Sequence, residues 1–85
     1  MNFSKQTWSQ LKAKTSKELM AAIERDGFLH EERIGATQGY RHPDGRRRVV
    51  VHYQPRKSYG PKLLKALIED AGWSEADLRR LKLIK

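Results

Sequence analysis

The sequence predicts an α+β domain in which a three-stranded antiparallel sheet packs on helices on one face, in the order α-β-β-β-α. The first observation is the turn sequence Pro43-Asp44-Gly45, which separates two extended segments and is typical of a β-hairpin. The second is a pair of segments with apolar residues at helical spacing, one before and one after this hairpin. The length of 85 residues predicts one domain, 1–85, with a small core.

Two helical segments are predicted before the sheet. Residues 1–14 are a short leader, in which Thr7-Trp8-Ser9-Gln10 has the T-x-x-Q form of a capping box. A helical turn or two and a frayed arm are both compatible with this leader. Thr15-Ser16-Lys17-Glu18 is a firmer start signal, and apolar residues follow it at helical spacing. This predicts a core-facing helix over 15–26, ended by Gly27.

The sheet is predicted over residues 28–53. Residues 28–34 read as a short edge strand, and Gly35 separates them from a second strand over 36–42. The third strand is expected over 46–53, where Val49-Val50-Val51 has a strong β preference.

The hairpin register predicts which side chains share a face. With His42 opposite Arg47, the side chains sort into two groups, and a four-residue loop keeps the same parity. The mostly apolar group suits packing on helices and holds Ala36, Gln38, Tyr40, Val49, Val51 and Tyr53. The other group is basic and is expected to stay open, because such a sheet needs helices on one face only. It holds Thr37, Gly39, Arg41, Arg48, Val50 and His52.

Two helices are predicted after the sheet. Gly60-Pro61 follows an irregular basic loop and predicts a helix over residues 60–72, since proline suits the first helical position. Ser74-Glu75-Ala76-Asp77 has the S-x-x-D form of a further start signal and predicts a C-terminal helix over 74–83.

Positive charge is concentrated in residues 40–62. This segment holds seven Lys and Arg against one Asp, which is net +6 out of +8 for the whole chain. Such a concentration is typical of a surface that meets a polyanionic backbone. The alternative is that the arginines only solvate and protect a strand. The candidate RNA-binding residues are Arg41, Arg48, Arg56, Lys57 and Lys62.

Composition excludes several other classes of protein. The chain has no cysteine, so it forms no disulfide framework and no cysteine metal site. Its three histidines show no ligand-like clustering, and neither a metal nor another cofactor is expected. No segment approaches membrane-spanning length, and no apolar N-terminal signal is present. We therefore expect a soluble cytoplasmic protein whose partner is nucleic acid or an acidic protein.

Several short sequence motifs, taken together, resemble those of one family. They are Gly35 with Tyr40-Arg41-His42-Pro43-Asp44-Gly45-Arg46, then Val51-His52-Tyr53, Lys57-Ser58-Tyr59-Gly60-Pro61-Lys62 and Ala71-Gly72-Trp73. On these motifs the chain resembles the HicA toxin family, also described as YcfA-like. The resemblance implies a double-stranded-RNA-binding-domain-like fold. It also implies an endoribonuclease that cleaves mRNA without the ribosome and is neutralised by a HicB-like antitoxin protein.

The chain departs from the family at the catalytic position. The family pattern is Gly-Ser-His-His, and here the four residues read Gly35-Ala36-Thr37-Gln38. Thr37 therefore occupies the position of the catalytic histidine and Gln38 that of the second one. Neither side chain titrates near neutral pH. His52, which the register places opposite Thr37 on the basic face, is the candidate replacement for proton transfer; a packing or phosphate-contacting histidine is the alternative.

Three functional hypotheses stay open at this point. The first is an active, metal-independent mRNA endoribonuclease in which the basic residues hold phosphate and His52 aids proton transfer. The second is a catalytically inactive module that binds RNA or antitoxin, because the catalytic histidine is absent. The third is a protein-interaction domain whose basic surface docks an acidic antitoxin. In all three, His30 and His42 are read as surface or structural residues, and Tyr59 as an anchor against the helix that follows it.

Overall fold

A computed structural model describes residues 3–53 and 59–85 of the chain. The helices are α1 (Lys5–Lys12), α2 (Ser16–Arg25), α3 (Pro61–Ala71) and α4 (Glu75–Arg80). The strands are β1 (Leu29–Ile34), β2 (Thr37–Arg41) and β3 (Arg48–His52). They form one antiparallel sheet in the order β1-β2-β3, and α2 and α3 pack on one face of it. The predicted α+β fold class is confirmed.

The helix starts follow from side-chain caps, although one of them is not where the sequence predicted it. Thr15 and Glu18 form the expected capping box at the start of α2. The predicted cap at Thr7 is wrong, because α1 begins one turn earlier, after Ser4, whose Oγ accepts a 3.2 Å bond from the Thr7 N–H. Thr7 lies inside the helix, and its hydroxyl donates to Glu75 Oε1 at 3.3 Å. A hydroxyl residue thus docks α1 on α4.

The C-terminal helix is shorter than the predicted range 74–83. It ends at Arg80 because Lys82 adopts φ +63°, in the left-handed region. The N–H of Leu83 then returns to the carbonyl of Leu78 at 2.9 Å, which closes the helix end. This turn brings Leu83 and Ile84 into the core.

The hairpin register matches the prediction. Thr37 pairs with His52, and the His42 N–H donates to the Arg47 carbonyl at 2.9 Å. The third strand starts at Arg48 rather than Arg46, because the Asp44 side chain binds the backbone N–H groups of the two preceding residues. Its Oδ1 accepts from the N–H groups of Arg46 and Arg47 at 2.9 and 3.2 Å. These bonds lower the pKa of Asp44 to about 2, the Arg46 N–H having the largest effect.

The core lies between the sheet and the helices. Tyr40, Val49 and Val51 project from the sheet and are fully or almost fully buried. They pack in one apolar cluster with residues of all four helices and of the chain that follows α4, the largest of which are Leu11, Leu19, Ile23, Leu64, Ile68, Leu78 and Leu81. Trp73, expected to fold back on the core, is 2% exposed. The face opposite this cluster is therefore the open one.

Asp26, at the end of α2, joins three parts of the fold. One oxygen accepts from the Trp73 Nε1–H at 2.9 Å and lies 3.4 Å from Arg47, and the other lies 2.6 Å from Arg80. Desolvation alone would raise the pKa of Asp26. The hydrogen bonds from Trp73 and Arg80 and the two positive charges together lower it below its usual value. The hairpin arginine Arg47 is therefore a structural residue rather than part of an open basic surface.

The leader is packed rather than frayed. Leu11 of α1 is fully buried, and the Lys14 carbonyl accepts a 3.0 Å bond from the Tyr59 N–H. This bond ties the end of the leader to the residue that precedes α3. Across residues 3–53 and 59–85, every helix is too short or too polar to traverse a lipid bilayer.

Candidate nucleic-acid interface

The open face of the sheet carries the two arginines that the sequence placed there. Arg41 and Arg48 are direct cross-strand partners, and their side chains are 56% and 42% exposed. Both guanidinium groups lie within ion-pair distance of the same carboxylate, that of Glu31. The two arginines therefore point to one side of the sheet, away from the core, as the register predicted.

Two glutamates of β1 neutralise these arginines, which the sequence analysis did not foresee. Arg41 donates to Glu31 through Nε and Nη2, and Arg48 Nη2 lies 2.6 Å from Glu32 Oε1. The hydrogen bond from Arg41 is the main cause that lowers the pKa of Glu31. The positive arginines of the open face are therefore paired with negative glutamates, and this face is not a purely cationic surface.

A β-bulge explains why both glutamates reach the same face. In regular alternation Glu31 and Glu32 would point to opposite sides of β1. The pairing of β1 with β2 shifts between His30 and Glu32, so β1 has an extra residue there. Both carboxylates then meet arginines on the open face.

Gly39 leaves the space in which Glu32 meets Arg48. It lies in the central strand between the two, paired with Glu32 on one side and Val50 on the other. A Cβ at this position would lie 2.9 Å from Glu32 Cγ and 3.5 Å from Arg48 Nη2. Only glycine lets these side chains cross the strand in their present positions.

Thr37 and His52 meet on the same face, at the other end of the hairpin. The Thr37 Oγ1 and His52 Nδ1 atoms are 3.4 Å apart, a long hydrogen bond, and the His52 ring is exposed. The backbone N–H of His52 donates to the Tyr59 hydroxyl at 3.2 Å. Tyr59 itself is buried, and its hydroxyl holds the end of β3.

Gln38 is turned away from this pair. It follows Thr37 in the strand and pairs with buried Val51, so its side chain lies on the helix-facing side. Its Oε1 is 2.7 Å from His30 Nε2, and the His30 ring contacts Tyr40 edge-on at 5.3 Å. The structure therefore joins Thr37 with His52 and separates both from Gln38.

The remaining residues that the sequence singled out differ in their surroundings. Lys62 is exposed at the second position of α3, and none of the described carboxylates forms an ion pair with it. Arg56 and Lys57 lie outside the described residues. His42 is structural, because its ring accepts from the Asp44 N–H at 3.1 Å and lies 3.2 Å from the Asp26 carbonyl.

A separate cleft lies elsewhere in the molecule. It measures about 510 Å³ and runs between α1 and the C-terminal part of the chain, lined by polar side chains that include Glu75 and Arg79. None of the predicted site residues that the structure describes lines it. Within the described ranges, no three metal-ligating side chains come together.

The sequence was also compared with known proteins. The profile of a family described as the HicA toxin of bacterial toxin-antitoxin systems matches residues 16–73. The chain belongs to this HicA toxin family. The match contains α2, the whole sheet and α3, whereas α1 and α4 lie outside it. No individual curated protein matches the chain.

Membership confirms the resemblance drawn from the sequence motifs and assigns the chain to a family of toxins. The match covers the Thr37–His52 pair, the two open-face arginines, and the bulge that brings the glutamates to them. Sequence reasoning missed the roles of Glu31 and Glu32. The available signal was a pair of acidic residues in an edge strand beside an arginine-bearing strand, which predicts cross-strand ion pairs once the bulge is known.

Proposed function

We propose that the protein is an RNA-cleaving toxin that binds mRNA on the open face of its sheet, with His52 as the proton-transfer residue. The observation that carries this proposal is the Thr37–His52 pair, which puts an exposed imidazole on the same open face as two guanidinium groups. Membership of a toxin family supports the RNA target, since the family resemblance implies mRNA cleavage.

The proposed reaction is attack of an RNA 2′-hydroxyl on the adjacent phosphorus. The 2′-oxygen bonds to phosphorus, the bond to the 5′-oxygen breaks, and a cyclic phosphate and a 5′-hydroxyl form. His52 accepts the 2′-hydroxyl proton at Nε2, which requires its Nδ1 to carry hydrogen and donate to Thr37 Oγ1. Thr37 is then a positioning residue that selects the tautomer. Solvent at the open face protonates the leaving 5′-oxygen.

Arg41 and Arg48 are the proposed phosphate ligands. Bound phosphate would replace Glu31 and Glu32 as the partner of each guanidinium, and the exposed ion pairs are weak enough to exchange. The positive charges would then stabilise the additional negative charge that develops on phosphorus in the transition state. We include Lys62, Arg56 and Lys57 among the proposed RNA contacts because of their charge.

A HicB-like antitoxin is the proposed protein partner. The family implies such an inhibitor, and the open face exposes two arginines, a residue type that is enriched at protein interfaces. Exposed Leu29 pairs with Arg41, and Ile34, 70% exposed, pairs with Thr37, so apolar side chains flank the arginines. An inhibitor that covers these residues would also cover His52. Because the proposed target is mRNA, we place the protein in the cytoplasm.

A second candidate function is a non-catalytic module that binds RNA or antitoxin. It is favoured by the threonine at the catalytic-histidine position and by Gln38, which lies on the opposite side of the sheet from His52. A single histidine among the described residues of the open face, without a second imidazole beside it, would leave proton transfer slow.

The two candidates are separated by expressing the protein alone and measuring growth and RNA integrity. We expect growth arrest and cleaved transcripts from the wild type, loss of both on His52→Gln, and stronger cleavage on Thr37→His. Intact RNA and normal growth from folded wild-type protein, with cleavage only in the Thr37→His variant, would instead support the non-catalytic module.

A further inference from the structure

We propose that the groove between α1 and α3 is a second RNA-binding site, which holds an unpaired RNA strand through three lysines and a tryptophan. The groove has a volume of about 390 Å³ and is lined by Lys5, Trp8, Lys12, Pro61 and Lys65. This inference extends the proposed RNA function and names unpaired RNA as the class of ligand.

The groove is built by two helix faces. Lys5, Trp8 and Lys12 are separated by three and four residues, so they share one face of α1. Pro61 and Lys65 are four residues apart and share one face of α3. The leader therefore contributes two of the three charges and the aromatic ring, and without α1 there is no groove.

The positive charge of this groove is not neutralised. Residues 3–15 and 59–68 contain five lysines and no aspartate or glutamate. Lys14 lies 3.6 Å from Glu18, whereas no carboxylate of the described residues forms an ion pair with Lys5, Lys12 or Lys65. The open sheet face differs, since Glu31 and Glu32 hold its arginines. The free cationic charge that attracts phosphate is thus greater at the helices.

Trp8 provides a surface on which a base can stack. Its ring is half-buried and tilted by 48° against Phe3, with the ring centres 5.4 Å apart. Lys5 and Lys12 stand on either side of it, separated along the helix axis by about 10 Å. A cationic groove combined with an aromatic ring is the usual arrangement for unpaired nucleic acid, in which phosphates meet lysines and bases stack. An acidic peptide would use the lysines but not the ring face.

The groove is connected to the proposed cleavage site. Tyr59 accepts from the His52 N–H through its hydroxyl and donates its own N–H to the Lys14 carbonyl. Pro61, which lines the groove, is only two residues further along the chain. The buried Tyr59 therefore holds the start of α3 and the end of the leader next to the end of β3, the edge strand that carries His52. The family match begins at residue 16, so the α1 side of this groove lies outside the part of the chain that the family model covers.

The test uses the full chain and a fluorescein-labelled 2′-O-methyl oligouridine of about twelve nucleotides, a length within the usual range of single-strand sites. The probe lacks a free 2′-hydroxyl, so cleavage cannot affect the binding measurement. We expect Lys5→Gln/Lys12→Gln/Lys65→Gln to weaken binding about 100-fold in about 0.1 M salt. We also expect the slope of log affinity against log salt to become shallower by about 2, since each phosphate contact contributes about 0.7.

A charge-matched control is Lys17→Gln/Arg33→Gln/Lys82→Gln, which changes three exposed residues outside both proposed sites. It should bind the probe within about 5-fold of the wild type. Tryptophan fluorescence should be quenched by the probe in the wild type and not in Trp8→Phe, because Trp73 is buried. Equal losses in the two triple variants, or quenching that persists in Trp8→Phe, would overturn the proposal.

Two further results separate this inference from the proposed function. Wild type that binds the probe through the groove but leaves unmodified RNA intact would refute cleavage and retain the groove. A groove variant that binds the probe normally but loses binding of a glutamate-rich peptide would show an acidic-polypeptide site and overturn the RNA assignment.

Discussion

Replacing the two open-face glutamates by glutamine should strengthen RNA binding. Glu31→Gln/Glu32→Gln removes two negative charges and keeps the size of each side chain. In the wild type these carboxylates hold Arg41 and Arg48 at ion-pair distance. In the wild type, phosphate has to displace these carboxylates, and the freed glutamates take up cations that offset those released from the RNA. In the variant there is no such offset, so each phosphate that an arginine neutralises gives a full release of its counterion.

The magnitude follows from this count of two arginines. For single strands, each additional neutralised phosphate steepens the slope of log affinity against log salt by about 0.7, so two steepen it by about 1.4. At about 0.1 M salt this corresponds to an increase in affinity of up to about 25-fold. Thermal stability should change little, because the pairs are exposed to solvent.

The assay is anisotropy of a labelled non-cleavable RNA at several salt concentrations. The matched control is Glu24→Gln/Glu69→Gln, which makes the same change in net charge at exposed positions of the helices, on the side of the molecule opposite the open face. We expect the control to retain the wild-type slope. If the open-face variant also retained that slope, Arg41 and Arg48 would not contact phosphate, and the proposed RNA face would be wrong.

Three other changes test the parts of the fold that position the site. Asp44→Asn should remove a pH dependence of stability. The folded-state pKa of Asp44 is lowered to about 2, so its contribution to the free energy of unfolding is present above about pH 4 and is lost as the pH falls toward 2. The melting temperatures of wild type and variant should therefore converge near pH 2. Asp26→Ala should lower the free energy of unfolding by about 2–3 kcal/mol in denaturant titrations, whereas exposed Asp70→Asn should not, because the loss of Asp26 leaves the Trp73 Nε1–H without its partner and removes one ion pair each from Arg47 and Arg80. Tyr59→Phe removes the acceptor for the His52 N–H and should lower RNA cleavage more than RNA binding; an equal loss of both would contradict the positioning role.

The fold was predictable because its signals are local. The capping box at Thr15, the turn at Asp44 and the proline that starts α3 each act through bonds to nearby backbone. The alternation of the hairpin then fixes which side chains are buried, and the pairing of Thr37 with His52 follows from it. The position of the leader was not predictable in the same way, because α1 is held by Leu11 in the core and by contacts with Glu75 and Tyr59 far along the chain.

The charge state of the open face was not predictable for a different reason. Counting charges along residues 40–62 gives a basic segment, but the partners of its arginines come from β1, outside that segment. Whether Glu31 and Glu32 share a face depends on the bulge, and a bulge of one residue leaves no pattern in the sequence of an imperfectly alternating strand. Arg47, in the same segment, forms an ion pair with the buried carboxylate of Asp26 and is therefore not part of the open basic surface.

These two corrections change where the net charge of +8 acts. An arginine that already has a carboxylate partner neutralises no phosphate until that partner is displaced, so it contributes little to long-range attraction and more to contact once phosphate arrives. Lysines that form no ion pair with a described carboxylate, such as Lys5 and Lys65, contribute to attraction at all distances within a Debye length. The proposed order of events is therefore capture of the strand by the α1–α3 groove, followed by exchange of Glu31 and Glu32 for phosphate on the face that carries His52. This order predicts that groove lysines dominate the association rate, whereas the open-face arginines dominate the dissociation rate, and stopped-flow binding of the two sets of variants distinguishes the two contributions.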